Sequence, residues 1–141
     1  MNFVRWLRSL SLLLFILGAT IPSAAQTIDE LKKGVVKITA QTNGMAKVGT
    51  GFIVRLEQNT VYVLTAAHVV EGDPKPQLTF YTRQDTQYPA AVRNAEGKQE
   101  QGLAIVVAKV PPDVLPSIAA LGLDTTTKLS GGEDMLTIGF P

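Results

Sequence analysis

From residue 34 onward the apolar positions fall in short runs divided by polar and turn-forming residues, a pattern that favours strands over long helices. Val35, Val36, Ile38 and Ala40 are strand-like, and Lys37 and Thr39 alternate with part of that set, as in a half-buried edge strand. Residues 48–56 and 61–64 form two further runs around the polar Glu57-Gln58-Asn59-Thr60, which reads as a hairpin. Glu71-Gly72-Asp73-Pro74-Lys75-Pro76 carries the turn residues of a surface loop and leads into two more short strands, at 78–81 and 87–92. A polar loop over 94–101 precedes the run 103–110, rich in β-branched residues and closed by Pro111-Pro112, which predicts a buried strand. Ahead of the first strand, Thr27 and Glu30 have the spacing of a capping box for a short helix through Lys33, with Gly34 placed to stop it. Residues 111–133 read as mostly irregular, and 135–139 as the start of one further strand. Six short strands with turn signals between them predict an all-β barrel or sandwich.

The first residues change this picture because they read as an address. Arg5 and Arg8 supply a positive start, residues 10–18 an apolar stretch, and Ser23-Ala24-Ala25 a cleavage signal, so residues 1–25 are expected to be a signal peptide and the chain exported, to a periplasm or the outside medium. A membrane anchor needs about 20 apolar residues, and the run that Pro22 ends falls short of that. Removing that segment takes two arginines and no acid, leaving 13 − 2 = 11 basic against 12 acidic residues. That balance lacks the basic footprint of a nucleic-acid binder. No cysteine is available for disulfides or thiolate ligands, so stability rests on packing. With a single histidine, His68, the chain lacks the usual zinc ligand set, and no metal or other cofactor is expected. Gly49-Thr50-Gly51 lacks the glycine-lysine ending of a phosphate loop and reads as strand glycines that permit close backbone approach.

The phrases Gly49-Thr50-Gly51-Phe52-Ile53-Val54 and Leu64-Thr65-Ala66-Ala67-His68-Val69-Val70 together resemble the trypsin-like (chymotrypsin-fold) serine peptidase family, in particular its bacterial Deg-type branch. Leu103-Ala104-Ile105-Val106, Leu115-Pro116, Leu121-Gly122, Gly132-Glu133-Asp134 and Ile138-Gly139-Phe140-Pro141 continue the likeness in the same order, so that it runs from Val35 to Pro141. The resemblance implies the N-terminal six-stranded antiparallel barrel of a two-barrel fold over residues 26–110. Residues 111–141 would then be the interbarrel connection and the opening of a second barrel cut after its first strand.

A serine peptidase needs a hydroxyl nucleophile, an imidazole that takes its proton, and a carboxylate that holds the imidazole in the right tautomer. By the resemblance His68 stands at the base position. The family's aspartate would precede Leu103-Ala104, where this chain has Gly102. Glu96 and Glu100 lie in the preceding loop and read as solvated acids, the other reading being that one of them reaches toward His68. The family's serine sits in a glycine-rich turn of the second barrel, and no such turn occurs in these residues. Ser117 and Ser130 are the only serines after His68; Ser130-Gly131-Gly132 echoes a nucleophile turn but comes before the phrase that opens the second barrel. The expectation is a serine endopeptidase by family that is inactive alone, with a peptide or protein substrate once complemented by a second barrel. The alternatives are a non-catalytic exported module that binds a peptide, and a half-enzyme completed by a second chain.

Overall fold

The computed structural model describes residues 27–97 and 102–141. The expected signal peptide and Glu100 lie outside the described residues. Helix α1 (Ile28–Lys32) starts at the predicted capping box: the Glu30 N–H donates to Thr27 Oγ1 at 3.3 Å, and the Thr27 N–H donates to the Glu30 carboxylate at 3.2 Å. Six strands follow: β1 (Val35–Thr42), β2 (Met45–Glu57), β3 (Thr60–Ala66), β4 (Gln77–Phe80), β5 (Tyr88–Ala95) and β6 (Leu103–Lys109). They close into a barrel in the order β1-β2-β3-β6-β5-β4, every pair antiparallel. Closure gives every strand two neighbours and leaves only short edges, such as Met45–Thr50 of β2, for a small domain without disulfides to protect.

Two hairpins set the register. Asn43 and Gly44 both have positive φ, 53° and 77°, as a two-residue turn of this hand requires, and the ladder therefore begins at Thr42 opposite Met45. That is why β2 starts at Met45, three residues before the apolar run in the sequence that marked it. Gln58, at φ 51°, makes the turn between β2 and β3 where the polar tetrad predicted one. β5 runs on past Val92 to Ala95 through a bulge between Val92 and Asn94, so the expected loop starts later than its polar composition implied.

Alternate residues point inward and fill the barrel: Val36, Ile38, Ile53, Val61, Val63, Leu78, Phe80 and Val106 are all fully buried. Phe80 is the largest of these, and its ring meets that of Tyr88 with centroids 5.1 Å apart and planes tilted by 50°. Below the barrel, a 3-10 helix (Leu115–Ser117) leads to Leu121, whose N–H donates to Ile53 O at 2.7 Å and whose side chain occupies the space a side chain on Gly34 would need. The strand expected at 135–139 does not form. A strand needs a neighbour for its N–H and C=O groups, and no strand of the barrel pairs with these residues. The Phe140 N–H instead donates to Thr50 Oγ1 at 2.7 Å, and the Phe140 ring lies 5.8 Å from that of Tyr81. Met135 and Leu136 remain exposed.

Because Phe80 bridges β4 to Tyr88 of β5 from inside the barrel, Phe80→Ala should lower unfolding free energy by about 3–5 kcal/mol. Urea unfolding of the two proteins checks this, and a loss below about 1 kcal/mol would mean that the barrel collapses onto the vacancy.

Candidate active site

β3 carries the chain from the Gln58-Asn59 turn to the far end of the barrel, where it stops at Ala66 and a single helical turn, α2 (Ala67–Val70), takes over. Ala67, Val69 and Val70 are buried and His68 is exposed, so the turn anchors itself by three side chains and presents the fourth. The anchoring depends on the glycine phrase of β2. A Cβ on Gly49 would fall 2.6 Å from Val69 Cγ1, so the turn packs where it does only because Gly49 has no side chain. Gly51 does the same for Val63 and Ile38, to which an added Cβ would come within 2.5 and 2.8 Å. Between them, Thr50 offers its carbonyl to the buried Thr65 hydroxyl at 2.8 Å. The two sequence phrases that carry the family resemblance are thus in physical contact.

A second set of bonds fixes the start of the turn. β3 and β6 pair from Thr60 opposite Lys109 up to Ala66 opposite Leu103, and one bond beyond the ladder the Ala67 N–H donates to Gly102 O at 2.7 Å. Gly102, in the position where the resemblance implies an aspartate, is buried and meets the turn through its backbone. The loop after α2 also lines the cleft beside His68. Asp73 holds that loop with both carboxylate oxygens, accepting from the Gln41 N–H at 2.7 Å and the Lys75 N–H at 2.8 Å.

These elements enclose a cleft of about 680 Å³ to which Ala67, His68, Val70, Val92 and Glu96 all contribute. Glu96 lies just past the end of β5 and is exposed, as the reading of a solvated loop acid has it, but it has a fixed partner. Its carboxylate accepts from the Leu103 N–H at 2.9 Å, because β5 continues next to β6 far enough to bring the two residues together. No hydrogen bond joins Glu96 to His68 among the described residues. Neither serine shares the cleft. The Ser117 hydroxyl donates to Val114 O at 2.7 Å within the 3-10 helix. Ser130 is exposed and donates both its N–H, at 2.8 Å, and its hydroxyl, at 2.9 Å, to Glu133 Oε1. Those two donors, the N–H first, hold the Glu133 carboxyl down to about 2. Among the described residues no group of three His, Cys, Asp or Glu side chains converges as a metal site, and no helix is long and apolar enough to cross a membrane.

A closed six-stranded antiparallel barrel is the architecture of the N-terminal barrel of the trypsin-like fold. Comparison with known protein families matches residues 49–141, well over half of the chain, to the trypsin-like peptidase domain. The chain belongs to that family. A search of the curated proteins found no match.

The contact between Gly49 and Val69 can be tested by a double-mutant cycle. Gly49→Ala should cost about 1–3 kcal/mol by overpacking, and in a Val69→Ala background most of that cost should disappear. Equal costs in both backgrounds, measured by urea unfolding, would show that the turn does not rest on Gly49.

Proposed function

We propose that this chain is the histidine-bearing part of an exported serine endopeptidase of the Deg-type branch, inactive by itself and dependent on a second barrel for its nucleophile. The observation that carries the reading is His68 on a buried, glycine-seated turn in a family that uses a histidine there as general base. The serine of the second barrel would attack the peptide carbonyl while His68 takes the hydroxyl proton and passes it to the leaving amine. Backbone N–H groups beside that serine would hold the developing oxyanion.

The outer face of the barrel supports the dependence on a partner barrel. Phe52, Leu64 and Ile105 lie in one row across β2, β3 and β6, on the opposite side of the sheet from the core. Leu103 extends the row and is 48% exposed, and Phe52 is 37% exposed. Contiguous apolar side chains on the outside of a small barrel favour association. Gly102 sets the expected efficiency: without a carboxylate to fix the imidazole tautomer, turnover falls by up to about 10⁴.

Casein hydrolysis tests the reading. The chain alone should release no fragments. Co-expression with the serine-bearing barrel of a Deg-type peptidase should produce slow hydrolysis that His68→Ala abolishes and Gly102→Asp accelerates, by up to about 10⁴. Hydrolysis by the chain alone, or hydrolysis that survives His68→Ala, would overturn it. Peptide binding with no hydrolysis under either condition would favour the non-catalytic module instead.

A further inference from the structure

We infer that Glu96 is a positioning residue for His68, acting through the single peptide group that joins Gly102 to Leu103. Three hydrogen bonds converge on this short stretch. The Glu96 N–H donates to Leu103 O at 2.9 Å, the Leu103 N–H donates to Glu96 Oε2 at 2.9 Å, and the Ala67 N–H donates to Gly102 O at 2.7 Å. The Leu103 N–H and the Gly102 C=O belong to the same trans peptide, so they point in opposite directions along one dipole. Glu96 holds one end of that dipole and the residue before His68 is held by the other.

The charges reinforce each other along this line. A carboxylate that accepts from the Leu103 N–H draws electron density toward the far oxygen of the peptide, which strengthens Gly102 O as the acceptor for Ala67. Among the described residues, Glu96 is the last before Gly102 that bonds to β6, and it does so with both its backbone and its side chain. It therefore fixes the return of the chain onto the barrel at the point where the His68 turn is attached. The carboxylate does not touch the imidazole. In a chain with glycine at position 102, it governs where the turn that carries His68 sits, a different task from supplying the counter-charge.

The inference rests on the reading of His68 as the proton acceptor, but it can be tested with no turnover at all. His68 is the only histidine, so its ring gives one unambiguous set of imidazole NMR signals. In Glu96→Ala, amide exchange at Ala67 should quicken by about tenfold or more relative to the native chain, and the His68 ring signals should shift. Exchange at the barrel amides of Val63 and Val106 should stay as it was. Glu96→Gln keeps an acceptor oxygen without the charge, and should restore most of the protection at Ala67. Glu71→Ala, which removes another acid of the same cleft with no bond to β6 among the described residues, should leave Ala67 and His68 unmoved.

Unchanged exchange at Ala67 and unchanged His68 signals in Glu96→Ala would overturn the proposal. So would an equal acceleration at Val63 and Val106, which would assign Glu96 a general role in stability, or an equal effect of Glu71→Ala, which would reduce it to cleft charge. If Glu96→Ala does not fold, Glu96→Asp, whose side chain is one methylene too short to keep the bond to the Leu103 N–H, carries the test: faster exchange and shifted signals confined to Ala67 and His68 support the clamp, and none contradicts it. A chain that shows these shifts yet gives no hydrolysis with any second barrel would refute the peptidase reading and leave the clamp standing.

Discussion

The bond from the Ala67 N–H to Gly102 O is the constraint on which the site depends. It extends the β3–β6 ladder by one residue beyond the last strand pair, and so decides where β3 gives way to the turn that carries His68. From there the packing follows. Ala67, Val69 and Val70 turn inward, Val69 settles against the bare backbone of Gly49, and the one remaining side chain of the turn is left in the cleft. An exposed histidine on an otherwise mobile loop would lose conformational entropy each time it acted. Here the ordering is done during folding by buried aliphatic contacts and a backbone bond that surround the imidazole without touching it.

The barrel and the site place opposite demands on the same strands. Inward positions of β2, β3 and β6 are aliphatic because they fill the core, as Ile53, Val63 and Val106 do. Outward positions would be free to be polar in an isolated barrel, yet Phe52, Leu64 and Ile105 keep an apolar row there. A strand apolar on both faces is the signature of a sheet buried on both faces. The same strands carry the glycine phrase and lead into the histidine turn and from Gly102, so this apolar row adjoins the elements of the candidate site.

Much of the fold was legible from local signals. Thr27 and Glu30 announced the helix cap, and the alternation in β1 and the polar tetrad after β2 announced strands and a hairpin. What escaped the sequence was decided by pairing between distant segments. The early start of β2 is set by the Asn43-Gly44 turn, whereas the apolar run itself begins only at Val48. Glu96 is an exposed loop acid, as its polar surroundings imply, but its partner was not legible because the Leu103 N–H becomes its neighbour only when β5 and β6 come together. Residues 135–139 have the composition of a strand, but composition supplies no neighbour, and the Thr50 hydroxyl took the Phe140 N–H instead.

The central claim is that this chain supplies the base and another barrel supplies the nucleophile. The most direct measurement is fluorophosphonate labelling of the chain isolated, with whatever accompanies it, from the cells that produce it. A fluorophosphonate reacts readily with a serine hydroxyl activated by a neighbouring general base and hardly at all with an unactivated one. The account predicts a labelled serine in a co-isolated trypsin-like second barrel, with labelling lost when His68 is replaced by alanine. Labelling of Ser117 or Ser130 in this chain, or the absence of any His68-dependent label, would contradict it.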